Sequence, residues 1–328
     1  MAILPQRQLL GLLLRAVDES GWQALVLDAK KPFNLRIFNS DEKGFDVRIY
    51  IWNCTHGGGS ERAKDEYRIQ FTGVVPTPYT GGITLLLGWH DGYGVFVGWD
   101  IARHSGQDSK SPSAQVKESA LANAHANAFA VHRKNNGEIV VAFRPEFLVD
   151  YAMSTNSLHE TGVTESDISL LDDLDGLTEE TINSVDNVER KAVLAQIARK
   201  YRLQDFRRRV LGAYQHRCAA CGVELELIDA AHILPVAASG STDETTNGIA
   251  LCKLHHAAFD RNLVGLDEKY RIEINEKEVT RLIKINRAGG LAEFRRYLKS
   301  AILLPADKRD YPNPKYIKAA RAVRKWNG

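Results

Sequence analysis

The chain has 328 residues, enough for two domains that each bury a hydrophobic core. Its hydrophobic fraction of 44% and charged fraction of 26% are those of a soluble globular protein, and no apolar run approaches the roughly 18–20 residues of a membrane span. Four cysteines are too few for a disulfide framework.

The net charge of +2 conceals a segregation along the chain. Residues 1–144 carry 16 basic and 14 acidic side chains, residues 145–189 carry 12 acids and no Lys or Arg, and residues 190–328 carry 27 basic and 15 acidic side chains. A basic third behind an acidic segment suits a polyanionic partner, although an ordinary solvated basic face has the same composition.

At the N-terminus, Leu9, Leu10, Leu13, Leu14 and Val17 recur at helical spacing, with Arg7 and Arg15 among them. An amphipathic helix is expected there, not a signal peptide, and with it a cytoplasmic location. Residues 33–38 (FNLRIF), 45–52 (FDVRIYIW) and 65–74 (DEYRIQFTGV) read as strands separated by turn residues. ITLLLGW and GYGVFVGWDI, joined by His90-Asp91-Gly92, read as a hairpin. Residues 113–131 are Ala-rich and expected to be helical, and NNGEIVVAF after them reads as turn then strand. Residues 1–150 are therefore expected to form a β-rich α+β recognition or sensor domain. The polar, acidic residues 151–187 are expected to be a linker, and residues 188–328 a second domain with flanking helices.

Residues 218–266 contain two interleaved sets of chemically capable side chains. Cys218-x2-Cys221 and Cys252-x2-His255 have the spacing of two knuckles that close a Cys3His zinc site. Four protein ligands leave no open position, so such an ion staples the fold. The second set is His232, Asn247 and His256, with Asp260 one helical turn after His256. His232 falls near the end of a strand-like stretch, Asn247 in a loop, and His256 and Asp260 on a helix. His255 and His256 are adjacent and could exchange roles; the CxxH spacing favours His255 on zinc.

The segment resembles the HNH family of nucleases, in particular its restriction-type branch with the pattern AAHI…P…NG.ALC..HH..FD. That resemblance implies a zinc-stapled ββα-metal fold that hydrolyses double-stranded DNA with Mg2+ or Mn2+. It implies that His232 is the general base, a task that suits an imidazole with an ordinary pKa of about 6.5. Asn247 would fix the loop and orient the base, and His256 would hold the catalytic ion together with Asp260. Many family members carry Asp or His immediately before the base; here that position is Ala231, so either Asp260 or Asp229 would supply the missing oxygen, or the ion would be held more loosely with DNA phosphate completing its shell.

Elsewhere, Arg207, Arg208 and Arg209 would meet phosphate or form a solvated helix face. Gly57-Gly58-Gly59 with Arg62, Lys64 and Arg68 has the composition of a phosphate-gripping loop, and Trp52, Trp89, Tyr93 and Trp99 could stack on a base or belong to a core. The stretches HGGGSERAKDEYRIQ and GVFVGWDIARHSGQDSKSPSAQ resemble segments found beside nuclease modules in restriction proteins. The leading expectation is a restriction endonuclease, modification-dependent through residues 1–150 and acting as a homodimer. Two others stay open: a non-catalytic zinc-dependent DNA-binding protein, and an effector nuclease gated by a small molecule or a protein.

Overall fold

The computed structural model describes residues 3–41, 43–56, 63–71, 74–106, 112–160 and 169–326. The chain divides into two compact units, Met1–Tyr201 and Arg202–Gly328. Among the described residues no helix is long and apolar enough to cross a membrane.

The first unit starts with α1 (Gln6–Glu19), whose Leu9, Leu13, Ala16 and Val17 are buried at helical spacing. Strands β1 (Gln23–Asp28), β2 (Phe33–Phe38), β3 (Gly44–Asn53), β6 (Ile83–His90), β7 (Val95–Trp99), β9 (Phe129–Arg133) and β10 (Ile139–Phe143) form one sheet, ordered β1-β2-β3-β6-β7-β10-β9. The β3–β6 pair is parallel, and its crossover holds β4 (Thr55–His56) and β5 (Glu66–Gln70). Those two pair with β8 (Ser113–Lys117) in a second sheet of three strands, ordered β4-β5-β8. The hairpin expected around His90-Asp91-Gly92 is present, with Leu86 opposite Trp99 and His90 opposite Val95, and a single helical turn, α2 (Ile101–His104), follows it.

Strand alternation explains why the central strands read as almost continuous apolar runs. Leu85, Leu87 and Trp89 of β6 enter one core with Phe96, Val141 and Phe143, whereas Leu86 enters another with Val97, Trp99 and Val140. The first core is closed by α1 and by α4 (Leu148–Leu158). The second is closed by the small sheet and by α3 (Glu118–Asn127), through Ile69, Val116, Ala120, Leu121 and Ala124.

Two expectations need correction. Residues 113–131 are not one helix: 113–117 pair with β5, and the helix covers only Glu118–Asn127. Ala114 and Val116 bury alternate positions of β8, and Ala128 has φ 73°, a conformation that ends the helix and lets β9 begin.

Nor are the described residues of the expected linker, 151–160 and 169–187, separate from the core. Tyr151, Ala152, Leu158, Leu171, Leu174, Leu177, Ile182 and Val185 are all buried in the first core. The helix α5 (Glu179–Asn183) buries Ile182 while its glutamates face solvent. The core continues into α6 (Val188–Ala213) through Leu194, Ile197, Ala198 and Tyr201, so residues 188–201 belong with the first unit. Acidic side chains on the outer positions concealed an apolar stripe.

The second unit has the order expected of a ββα module. Antiparallel strands β11 (Ile228–His232) and β12 (Gly248–Cys252) lead into α7 (Lys253–Asp260). A hairpin of β13 (Val264–Leu266) and β14 (Ile272–Ile274) follows, then α8 (Glu276–Lys284), α9 (Leu291–Tyr297) and α10 (Pro314–Val323). Phe206 and Val210 of α6, Ile228, Ile249 and Leu251 of the hairpin, Phe259 of α7, and Tyr316 and Ile317 of α10 form its core. The C-terminal tail thus buttresses the module.

Candidate active site and metal cluster

The first knuckle is a tight turn. The Gly222 amide donates to the Cys218 carbonyl at 2.7 Å, and the Cys218 amide donates to the Val223 carbonyl at 2.8 Å. Gly222 has φ +85°, which suits a residue without Cβ. The second knuckle is formed where β12 ends at Cys252 and α7 begins, which places His255 one helical turn on.

The two knuckles bring the ligand atoms of Cys218, Cys221, Cys252 and His255 within 4.8 Å of one another. Nδ1 of His255 lies 3.5 Å from Sγ of Cys218 and 3.3 Å from Sγ of Cys252. Bond lengths of ~2.3 Å to sulfur and ~2.0–2.1 Å to nitrogen put tetrahedral S···N edges near ~3.5 Å, so the cluster fits a zinc-sized ion. Burial works against a thiolate at Cys218, yet His255 and nearby amides outweigh it and bring the thiol down to about 6. Burial pushes Cys221 up to about 12, with the Cys218 sulfur adding to the effect. A divalent cation would relieve that conflict by favouring the thiolate at each position. Among the described residues no other group of three or more His, Cys, Asp or Glu ligand atoms converges in this way.

The second set lies on the same ββα hairpin. His232 ends β11 opposite Gly248, its ring stacked on Phe206 with 3.9 Å between centroids and 13° between planes. Its Nε2 is 2.9 Å from Oδ1 of Asp243. Asn247 is fully buried and staples the loop between the strands. Its Oδ1 accepts from the Leu234 amide at 2.9 Å, and its Nδ2 donates to the Thr242 carbonyl at 2.8 Å and to Ser241 Oγ at 3.2 Å. Asn247 therefore fixes the loop, while the side chain bonded to His232 is Asp243. Asp243 escapes sequence reading, because nothing in its local pattern reveals that the loop folds back onto the strand.

His256 lies between two carboxylates, with Nε2 3.3 Å from Asp260 Oδ2 and Nδ1 3.8 Å from Asp229 Oδ2. Asp229 already pairs with Arg207 at 3.1 Å and Lys253 at 2.8 Å. Burial tends to raise its pKa, but these cations outweigh burial and hold it below the ordinary carboxylate range. Ala231 is buried in the module core and offers no ligand.

The basic residues expected to meet phosphate fall into different settings. Arg207 donates to Asp229 and to the Ile228 carbonyl, which ties α6 to β11. Arg208 pairs with Asp205 at 2.8 Å. In the first unit Lys64 is exposed, whereas Arg68 is half-buried with its Nε shut off from solvent. Arg62 and Gly57–Gly59 lie outside the described residues. Trp89 and Trp99 are buried in separate cores, and Trp52 and Tyr93 pack against the second of these, so the four do not line one pocket.

The strand–loop–strand–helix order and its Cys3His staple define a ββα nuclease module. Residues 218–267 match the family model described as HNH endonuclease, so the chain carries an HNH endonuclease domain and is a nuclease. Residues 45–152 match a second family model, described as Methylase-associated X1. No curated protein matches this chain. Among solved structures, the "Modification dependent TagI restriction endonuclease" is 14% identical, covering 84% of this chain and 80% of that one at a TM-score of 0.27.

Proposed function

We propose that this chain is a restriction-type endonuclease that hydrolyses phosphodiester bonds in double-stranded DNA. The observation that supports the reading is the hairpin geometry: one element, with a converged Cys3His cluster at its end, presents His232 and His256 while the buried Asn247 fixes its loop. In this reading His232 is the general base that takes a proton from the attacking water. His256 Nε2 and the Asp260 carboxylate, 3.3 Å apart, would hold Mg2+ or Mn2+. When bound, the ion supplies charge stabilisation to the phosphate and the leaving oxygen. One imidazole gives an ion a single nitrogen, so Asp229 and Asp260 are alternatives. Asp260 fits better because Asp229 is already neutralised by Lys253 and Arg207.

The methylase-associated description of the family matched by residues 45–152 favours recognition of DNA by the first unit, with modification state as the property read. Arg208, with its side chain more than half exposed, suits a phosphate contact at the second unit; Arg207 serves the structure. Two cuts in a duplex need two active sites, which favours a homodimer on DNA. The test is cleavage of plasmids that bear different base modifications or none, with Mg2+ or Mn2+, by wild type and His232→Ala. Wild type is expected to cut at least one substrate, and His232→Ala to be slower by ~10²–10⁴-fold, the usual range for a general base. Failure of wild type on every substrate, or equal cutting by both proteins, would overturn the proposal.

A further inference from the structure

His232 meets a carboxylate that the motif does not name. In the neutral ring only one nitrogen carries a hydrogen, and an ionised carboxylate only accepts. The 2.9 Å contact between Nε2 and Asp243 Oδ1 is therefore an Nε2–H donation, which leaves the lone pair on Nδ1.

The backbone on either side of that carboxylate is held in place from several directions. Arg209 of α6 donates to the Asp243 carbonyl at 2.8 Å and to Thr245 Oγ1 at 2.8 Å, while Asp205 anchors the same guanidinium at 2.6 Å. On one side of Asp243, Thr242 bonds the Tyr316 hydroxyl of α10 at 2.6 Å and gives its carbonyl to Asn247. On the other side, Glu244 accepts from Tyr316 at 2.8 Å. The charged groups around the imidazole are thus Asp243 itself, then Arg209 and Asp205 on α6, and Glu244 in the loop with Lys315 of α10 3.8 Å from it. Phe206 covers one face of the ring.

We propose that Asp243 is a positioning residue: it locks His232 as the Nε2–H tautomer and so reserves Nδ1 as the atom that accepts the proton of water. The proton passes from water to Nδ1, the ring becomes an imidazolium with both nitrogens protonated, and the Asp243 carboxylate faces its new charge without taking a proton itself. Phe206 and Asp243 together hold the ring in one orientation, while Arg209 and Asn247, through the backbone carbonyls of Asp243 and Thr242, fix the stretch of loop that carries the carboxylate. This inference rests on His232 being the base.

The experiment compares wild type, His232→Ala, Asp243→Ala, Asp243→Asn and Asp243→Glu in single-turnover cleavage, with zinc content and DNA affinity measured on each. It also reads the tautomer of His232 from 15N shifts of histidine-labelled full-length protein, with His232→Ala supplying the assignment. Wild type is expected to show Nε2–H. Asp243→Ala should mix the tautomers and cut at least ~10-fold more slowly with zinc content and affinity unchanged, within the range that general-base catalysis can contribute. Asp243→Asn keeps an acceptor oxygen without the charge and should fall between the two, and Asp243→Glu should restore part of the rate. An Nδ1–H tautomer in wild type, or wild-type cutting by a zinc-loaded Asp243→Ala, would overturn the role of Asp243. Wild-type cutting by His232→Ala would instead remove the base on which it depends.

Discussion

The two units of this chain solve the problem of rigidity differently. The first wraps apolar layers around both faces of a sheet of seven strands, with Phe33, Phe71, Phe96, Trp99, Phe129, Phe143 and Tyr151 all essentially inaccessible. Burial of such side chains contributes ~1.5–3 kcal/mol each. The second has strands of three to five residues and a smaller core, and the loop of its hairpin carries a fully buried Asn247. Beside its core it brings four ligand atoms together, and a metal ion held there would add to its stability. Where the surface of a small element is reserved for chemistry, ligation substitutes for hydrophobic bulk.

The largest expected effect follows directly. Structural zinc in small domains is worth an apparent ~10–16 kcal/mol, more than the whole stability of most domains. Cys218→Ser, or a strong chelator, should therefore unfold residues 202–326 and abolish cutting while the first unit keeps its sheet. Calorimetry combined with amide exchange localises the loss, and metal analysis counts the ion. If both units melted together, or neither did, the contrast between them would be wrong.

A smaller effect tests the first unit alone. Glu138, only 2% exposed at its side chain, lies 2.6 Å from His104 Nε2 and 2.7 Å from Lys134 Nζ. Burial works to raise its pKa, but these two partners outweigh burial and bring it to about 2. Against an unfolded value near ~4.3, that difference corresponds to about 3 kcal/mol. A folded value below the unfolded one means that the stabilisation is complete above about pH 4.3 and is lost as pH falls toward 2. Amide exchange of the β10 strand should show protection falling over that window, and Glu138→Gln should remove the pH dependence. An unchanged slope in the variant would assign acid sensitivity elsewhere. Probing β10 matters because acid would also compete with a metal ion for the cysteines of the second unit.

The convergence of the Cys3His cluster was legible in the sequence because ligation imposes spacing. Cys218, Cys221, Cys252 and His255 must sit on two tight turns, and the structure converges them. The placement of His232, Asn247 and His256 was legible for a related reason, since strand, loop and helix each have a local signature. Asp243 was not, because its contact with His232 depends on Arg209 and on Tyr316, more than seventy residues further on. The strands of the first sheet were legible from their apolar runs. The role of residues 151–187 was not: acids between Leu171, Leu174, Leu177 and Ile182 make the stretch polar as a whole, while the apolar positions alone decide what is buried. Similarly, the alanines of residues 113–131 favour a helix everywhere, and only pairing with β5 turns 113–117 into strand.

The smallest effect probes how closely the two schemes meet inside the second unit. Gly248 lies opposite His232 across the hairpin, and a Cβ added there would fall 2.2 Å from Val210 Cγ2 and 3.0 Å from Phe206 Cζ. Gly248→Ala must therefore push the very ring on which His232 stacks. Overpacking of this kind costs ~1–3 kcal/mol, well below the expected effect of losing the metal. The variant should keep its zinc and most of its stability yet cut DNA more slowly, because Phe206 moves and the imidazole moves with it. A thermal melt, a zinc assay and a single-turnover rate on the same sample separate the outcomes. Stability lowered with the rate intact would show that Phe206 packs the core without positioning the histidine; a rate lost together with zinc would show that the hairpin and the staple fail as one body.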